Sequence, residues 1–136
     1  MQFSKTFENK SSLSATLGLV WLNSKSSDTI PSFYISSHAK FMTNFTLQYS
    51  HRRFSVSMTG IYKERQPQKA ASPLIAEVSS DYIILNAKAD VFIWKDVSAF
   101  AEMDNITDRT YTDLLGALMP GKWVTAGFKI SLASKN

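Results

Sequence analysis

The 136 residues contain no cysteine, which excludes a disulfide framework and any thiolate metal site. That suits a reducing cytosol and equally a bacterial envelope protein that does without disulfides. No run approaches the roughly 18 consecutive apolar residues of a membrane-spanning helix, so any membrane role must run through strands. The opening Met1-Gln2-Phe3-Ser4-Lys5-Thr6 has one lysine and no apolar run after it, so no secretory signal is legible there. Glycine and proline are sparse, at 5 and 4 residues. Acidic residues (11) fall short of basic ones (15), leaving a formal charge of +4. The excess is scattered rather than gathered in a block, so it reads as a solvated surface rather than a nucleic-acid or anionic-lipid patch.

What the chain has in abundance is alternation, together with aromatic residues at 12%. Leu13, Ala15, Leu17, Leu19 and Trp21 alternate with Ser14, Thr16 and Gly18. Ala39, Phe41, Thr43, Phe45, Leu47 and Tyr49 alternate with Lys40, Met42, Asn44, Thr46 and Gln48. A third run sets Phe54, Val56, Met58, Gly60 and Tyr62 against Arg53, Ser55, Ser57 and Thr59. A fourth sets Ile83, Leu85, Ala87, Ala89, Val91 and Ile93 against Asn86, Lys88 and Asp90. In a fifth, Val97, Ala99, Ala101 and Met103 oppose Ser98, Glu102 and Asp104. In the sixth, Val124, Ala126, Phe128, Ile130 and Leu132 oppose Thr125, Gly127, Lys129 and Ser131. Period two is the mark of a strand with one apolar face, and no segment shows a helical period. The expected fold is all-β and antiparallel, with about six long strands in a meander and room for the end of a seventh at Phe3–Phe7.

Two features favour a membrane barrel wall over a sandwich. The runs are roughly 9–13 residues long, beyond the usual 5–6, and about 9–11 tilted residues cross a bilayer as a strand. The connections alternate in length: Leu22 to His38 long, Ser50 to Arg53 short, Lys63 to Asp81 long, Trp94 to Asp96 short, Asn105 to Lys122 long. Outer-membrane barrels show that asymmetry, with tight periplasmic turns and long outer loops. Trp21, Phe41 and Tyr62 fall near the long-loop ends of their strands, while Tyr49 and Phe54 bracket a short turn. Aromatic rows at two levels are what an interfacial girdle requires. The small residues Ala87, Ala89, Ala99 and Ala101 would fill a sandwich core poorly. If Trp94, Lys95 and Asp96 form a turn, Ile93 pairs with Val97, and Lys88 faces Glu102 as an opposite-charge pair on the polar face.

Groups with chemical potential do not converge. His38 precedes the second run and His51 lies in a tight turn, each reading as a solvated or interfacial histidine. Glu102 and Asp104 share a strand face, where they balance Lys88 and Lys129 rather than form a catalytic pair. Asp104, Asp108 and Asp113 lack the glycine and terminal glutamate of an EF-hand loop. No phosphate loop, nucleophile elbow or HExxH motif is present. Arg52 and Arg53 suit a lipid headgroup level. Asn44-Phe45-Thr46 and Asn105-Ile106-Thr107 match the glycosylation acceptor pattern incidentally. The stretch Glu64–Ser80 lacks alternation and reads as an outer loop. No catalytic residue, metal ligand or cofactor-binding residue is expected.

The stretch Phe100–Ile130 is the most specific. Met103-Asp104-Asn105-Ile106-Thr107-Asp108-Arg109, with Tyr111 after it, resembles the strand end that precedes the last outer loop of TonB-dependent outer-membrane receptors. Met119-Pro120-Gly121-Lys122-Trp123 resembles the Pro-Gly-aromatic entry into their final strand. Tyr82–Lys88 is similar to the family's antepenultimate strand, and the Leu114–Gly121 stretch leans towards the cobalamin-transporter-like branch. The resemblance implies that residues 1–136 form the C-terminal part of a transmembrane β-barrel in the bacterial outer membrane. The family signature then rests on Asp104, Asn105, Asp108, Arg109, Tyr111, Pro120, Gly121 and Trp123, with Lys88 and Glu102 as a charge pair in the lumen. It further implies active uptake of a large scarce ligand, cobalamin or an iron-siderophore, without catalysis or a cofactor. The implied partners are outer-membrane lipid, the remaining barrel and plug, the TonB complex through that plug, and the barrel-assembly machinery, with no nucleic acid. The family's barrel has about twenty-two strands, and neither a plug nor a TonB-contacting segment is legible here. The family usually ends on an aromatic residue, whereas this sequence finishes Ala133-Ser134-Lys135-Asn136. A small self-contained outer-membrane barrel, or a soluble β-barrel or sandwich acting as a binding module, stands as the alternative.

Overall fold

The computed structural model describes residues 1–23, 39–65, 79–94, 96–113 and 117–131. These residues form β1 (Gln2–Thr6), β2 (Ser11–Trp21), β3 (Ala39–His51), β4 (Phe54–Arg65), β5 (Asp81–Trp94), β6 (Val97–Asp104) and β7 (Trp123–Ile130). All seven lie in one antiparallel sheet, in the order in which they occur in the chain. Each strand pairs with its sequence neighbour, as a meander requires when hairpin follows hairpin. No helix occurs among the described residues.

The alternation sets which side each residue takes. Register pairs such as Leu17↔Phe45, Phe45↔Gly60, Gly60↔Leu85, Ala89↔Ala101 and Ala101↔Ala126 line up the apolar positions of six strands on one face. A one-residue slip at any pairing would send a strand's whole apolar set to the other face. Gly60 is needed for close approach. A Cβ there would lie 2.2 Å from Phe45 Cε1 and 2.8 Å from Leu85 Cδ2, so the Phe45 ring lies over the glycine.

The tight connections gather at one end of the sheet: 7–10, 52–53 and the turn before Val97. Lys10 (φ 64°) and Arg52 (φ 28°) take the positive φ that short hairpins favour. The strand ends that flank 22–38, 66–80 and 105–122 all lie at the opposite end. Aromatic rings mark both ends. Trp21 and Phe41 meet edge to face at 5.8 Å, and Phe41 and Tyr62 are 6.3 Å apart, near the long-connection end. Tyr49 and Phe54 are 5.8 Å apart beside the 52–53 turn.

The apolar face is not covered. Leu19, Trp21, Val124, Phe128 and Ile130 are all more than half exposed, Trp21 at 71% and Phe128 at 74%. Among the described residues, the buried hydrophobic residues are only Ala39, Tyr82 and Ile84. The opposite face is polar at its centre but carries Ile61, Ile84 and Phe100 as well.

The expected antiparallel meander of long strands is observed, and the seventh strand at the N-terminal end is the short Gln2–Thr6, which pairs along β2 from Gln2↔Thr16 to Thr6↔Ser12. Three expectations need correction. Trp94 belongs to β5 and pairs with Val97, with a register irregularity between Phe92 and Trp94, so Ile93 does not face Val97. The irregularity absorbs one residue, and the matched faces survive it. His51 is the last residue of β3, paired with both Ser11 and Phe54, rather than a turn residue. Glu64 and Arg65 extend β4 instead of opening the loop, because they continue pairing towards Phe41 and Ala39. His38, Lys95, Leu114 to Gly116 and Leu132 lie outside the described residues.

Candidate functional site

Two groups of side chains on the polar side stand out: charges midway along the sheet, and the last connection, which folds back over the loop end.

Lys88 and Glu102 face each other directly in the β5–β6 ladder. Lys88 Nζ donates to Glu102 Oε2 at 2.7 Å. The second lysine behaves differently from its sequence reading. Lys129 on β7 reaches across β6 to Asp90 on β5 at 2.5 Å, not to Glu102 or Asp104. Phe100 lies between the two lysines, with its ring centre 5.5 Å from Lys88 Nζ and 5.0 Å from Lys129 Nζ. An aromatic ring at a polar-face position thus serves as an electrostatic spacer between like charges. Beside this cluster a shallow groove of about 250 Å³ opens over β2–β5, lined by Thr16, Asn44, Thr46, Thr59, Ile61 and Asn86 among others. Its amides and hydroxyls offer neutral hydrogen bonding and no formal charge.

The last connection is built around Asn105. This residue is 4% exposed and adopts φ 48°, a left-handed conformation that asparagine tolerates better than most. Its Nδ2 donates to the carbonyls of Arg109 (2.9 Å) and Pro120 (3.2 Å). Its Oδ1 accepts from the Arg109 N–H (3.0 Å) and the Thr107 hydroxyl (3.4 Å). The backbone is stitched to β5 as well: the Asn105 N–H donates to Asn86 Oδ1 at 2.9 Å and the Ile106 N–H to the Leu85 carbonyl at 2.8 Å. Asp108, also at positive φ (51°), accepts from the Lys122 N–H at 2.7 Å. A Cβ on Gly121 would come within 2.8 Å of that carboxylate. One amide and one carboxylate thereby tie the start of the connection to its end.

The middle of the connection crosses the polar face. Tyr111 packs on Tyr82 with ring centres 4.4 Å apart. The Met119 N–H donates to the Tyr111 carbonyl, and Thr112 bridges Leu118. Asp113 takes a hydrogen bond from Lys63 at 3.0 Å and a close one from the buried Arg65, whose guanidinium also lies over the Tyr82 ring at 5.5 Å. Arg65 Nη1 donates to the Ser79 carbonyl at 2.9 Å, and Ser79 and Thr112 exchange hydrogen bonds through backbone and hydroxyl groups. Burial pushes the Asp113 carboxyl up, but the Lys63 hydrogen bond and the charges of Lys63 and Arg65 outweigh it and hold the group below its ordinary value. Burial, with the Asp113 charge added, raises the Tyr111 phenol.

Of the residues singled out in the sequence, the structure brings Asn105, Asp108, Arg109, Pro120 and Gly121 together, and places Tyr111 on Tyr82. Asp104 and Trp123 pair directly across the β6–β7 ladder. Lys63, Arg65, Tyr82, Ser79 and Phe100 were not anticipated. The polar position of Phe100 was readable in its run, but the Asp113 clasp joins residues about fifty apart with no local signature. Among the described residues no three His, Asp or Glu side chains gather as a metal site. No family model matches the chain, and no curated protein or solved structure matches it either.

Proposed function

We propose that this chain is a wall segment of an outer-membrane β-barrel, the C-terminal barrel part of a TonB-dependent receptor that takes up a large scarce ligand such as cobalamin or an iron-siderophore. The observation that carries the membrane reading is the uncovered apolar face, rimmed by aromatic rows at two levels. A large apolar side chain left in water forgoes about 1.5–3 kcal/mol relative to burial. With Leu19, Trp21, Val124, Phe128 and Ile130 all open, a soluble form would forgo several such contributions at once. Hydrocarbon on that face recovers them. The separation of tight turns from long connections supports the same orientation, with turns periplasmic and connections outside. The receptor assignment rests on the sequence signature of Phe100–Ile130.

In this reading the polar face lines the lumen. The last connection folds inward over it, held by Asp113 on Lys63 and Arg65 and by Tyr111 on Tyr82, and narrows the outer mouth next to β4 and β5. The role is transport architecture, with no chemical step.

The test is insertion. The chain, refolded with phospholipid vesicles, is expected to stay with them through a urea wash and to show blue-shifted tryptophan emission from Trp21 and Trp94 on the apolar face, with Trp123, opposite Asp104 on the polar face, unshifted. Recovery as a folded, detergent-free soluble monomer would reject the membrane reading. Ligand class is tested by growth rescue with cobalamin or iron chelates in a strain expressing the gene with its upstream reading frame.

A further inference from the structure

Among the described residues, the Lys88–Glu102 and Lys129–Asp90 pairs each join one cation to one carboxylate, with both partners on strands. Asp113 differs in two respects. It receives two cations, Lys63 and Arg65, and it belongs to the last connection rather than to the sheet. Both cations reach the same oxygen, Oδ1, and the Tyr82 hydroxyl lies beside the same carboxylate.

The cationic half of this cluster is built without Asp113. Lys63 and Arg65 stand two apart on β4, which puts both on the polar face about 6.6 Å apart along the strand. Lys63 pairs directly with Tyr82 on β5. The Arg65 side chain is 2% exposed. Its Nη1 donates to the Ser79 carbonyl at 2.9 Å, its guanidinium lies over the Tyr82 ring, and its backbone N–H donates to the Ser80 carbonyl at 2.7 Å. None of these contacts passes through Asp113, so the guanidinium keeps its place when the carboxylate leaves. A desolvated charge left in that position favours another anion strongly. The carboxylate half is open, with the Asp113 and Lys63 side chains 25% and 20% exposed, so solvent already touches the cluster.

We propose that Lys63 and Arg65, with Tyr82 beside them, form a carboxylate-binding site on the polar face that Asp113 fills as a built-in ligand, and that a small carboxylate solute exchanges with Asp113 there and loosens the connection next to it. The geometry selects the chemistry. An ammonium and the Arg65 Nη2 group grip one oxygen, while Nη1 is engaged by Ser79. That suits a planar carboxylate, as Asp113 itself is, better than a phosphate, whose three oxygens call for more donors. Exchange leaves the Thr112–Ser79 bonds and the Tyr111–Tyr82 stack in place, so the connection loosens around Asp113 rather than detaching. The inference does not depend on the membrane reading, because none of its contacts involves the apolar face.

The test uses formate, which restores the carboxylate that Asp113→Ala removes. The gene is expressed with its upstream reading frame, and the protein is purified from whichever fraction holds it, membrane or soluble. Wild type, Asp113→Ala, and Asp113→Ala combined with Lys63→Gln are compared, with binding read from line broadening in the NMR spectrum of labelled formate. The expected result is saturable binding to Asp113→Ala, weakened roughly tenfold when Lys63→Gln is added. Binding to the wild type should be weaker by roughly tenfold or more, because its tethered carboxylate competes for the same cations. In the wild type, formate should speed amide exchange across Tyr111–Asp113 towards the Asp113→Ala rate, while chloride at equal ionic strength should not. Absence of saturable binding to Asp113→Ala, binding indifferent to Lys63→Gln, or equal effects of formate and chloride overturns the proposal and leaves Asp113 a structural ion pair. Phosphate bound more tightly than formate overturns the carboxylate assignment. The wild-type comparison of formate with chloride requires no substitution, so it decides the matter if Asp113→Ala does not fold.

Discussion

Replacing Asn105 by alanine should open the last connection while leaving the seven-stranded ladder in place. The amide makes three hydrogen bonds at 3.2 Å or less and a fourth at 3.4 Å. Counting about 1 kcal/mol for each of the three shorter bonds, and discounting because Arg109 and Pro120 lie beside solvent, gives about 2 kcal/mol. Alanine at φ 48° adds about 1 kcal/mol of left-handed strain. Asn105→Gly removes the same bonds without that strain, so the expected losses are about 3 kcal/mol for alanine and about 2 kcal/mol for glycine. Both Arg109 and Lys122 are trypsin sites within the connection. With opening fast relative to cleavage, these losses raise the cutting rate about 150-fold and about 30-fold respectively. The assay is limited trypsinolysis of the vesicle-bound chain, with products mapped by mass. Wild-type cutting rates in both variants would refute the hub argument. Wild-type behaviour in the glycine variant alone would show that backbone conformation, rather than the amide network, holds the connection.

Three further perturbations probe other parts of the molecule. Glu102→Lys sets two lysines opposite each other and should lower the urea midpoint, while the swap Lys88→Glu with Glu102→Lys should recover most of it; a double variant no better than the single one would deny the direct pairing. Gly60→Val drives a Cβ into the Phe45 ring and should cost about 1–3 kcal/mol as overpacking, with Phe45→Ala restoring part of the loss when combined; additive effects would mean the two residues do not touch. Asp113 has its pKa lowered on folding, so its contribution is fully present above the unfolded value of about 3.9 and fades as pH falls through the folded one. Trypsin-independent probes such as amide exchange at Thr112 should therefore show the clasp loosening below about pH 4, and Asp113→Asn should remove that pH dependence.

The strands were legible because one physical constraint writes directly into the sequence: a sheet with one apolar face needs period two, and six runs display it. β1 was harder, because Gln2–Thr6 supplies only Phe3 as an apolar residue and its strand character comes from pairing with β2. The Lys88–Glu102 pair followed from counting back from a turn. The count survived a wrong turn because the irregularity near Ile93 lies between the turn and the pair. The interactions of Lys129 did not follow, because Asp90 lies two strands away and only the observed register brings the two together. The same holds for Asp113. Its partners on β4 are set by how the last connection folds back, and no local pattern encodes that path.

The signature in Asp104–Trp123 changes meaning once its bonds are counted. An asparagine side chain has two N–H donors and one carbonyl acceptor with two lone pairs. In Asn105 both N–H groups go to carbonyls of its own connection, and the oxygen receives the Arg109 N–H and the Thr107 hydroxyl. That side chain has no capacity left to read a ligand. The Asp108 carboxylate likewise takes the Lys122 N–H and leans against Gly121. The motif therefore specifies a shape, the closure of β6 and β7 over the end of β5. Of the neutral groove's polar side chains, Asn86 is engaged by the Asn105 N–H, whereas Asn44, Thr46 and Thr59 lie on β3 and β4, away from the Asn105 and Asp108 bonds. An Asn105 variant should accordingly loosen the last connection without altering amide-exchange protection along β2 to β5, because the ladder fixes the strands and the amide fixes the connection.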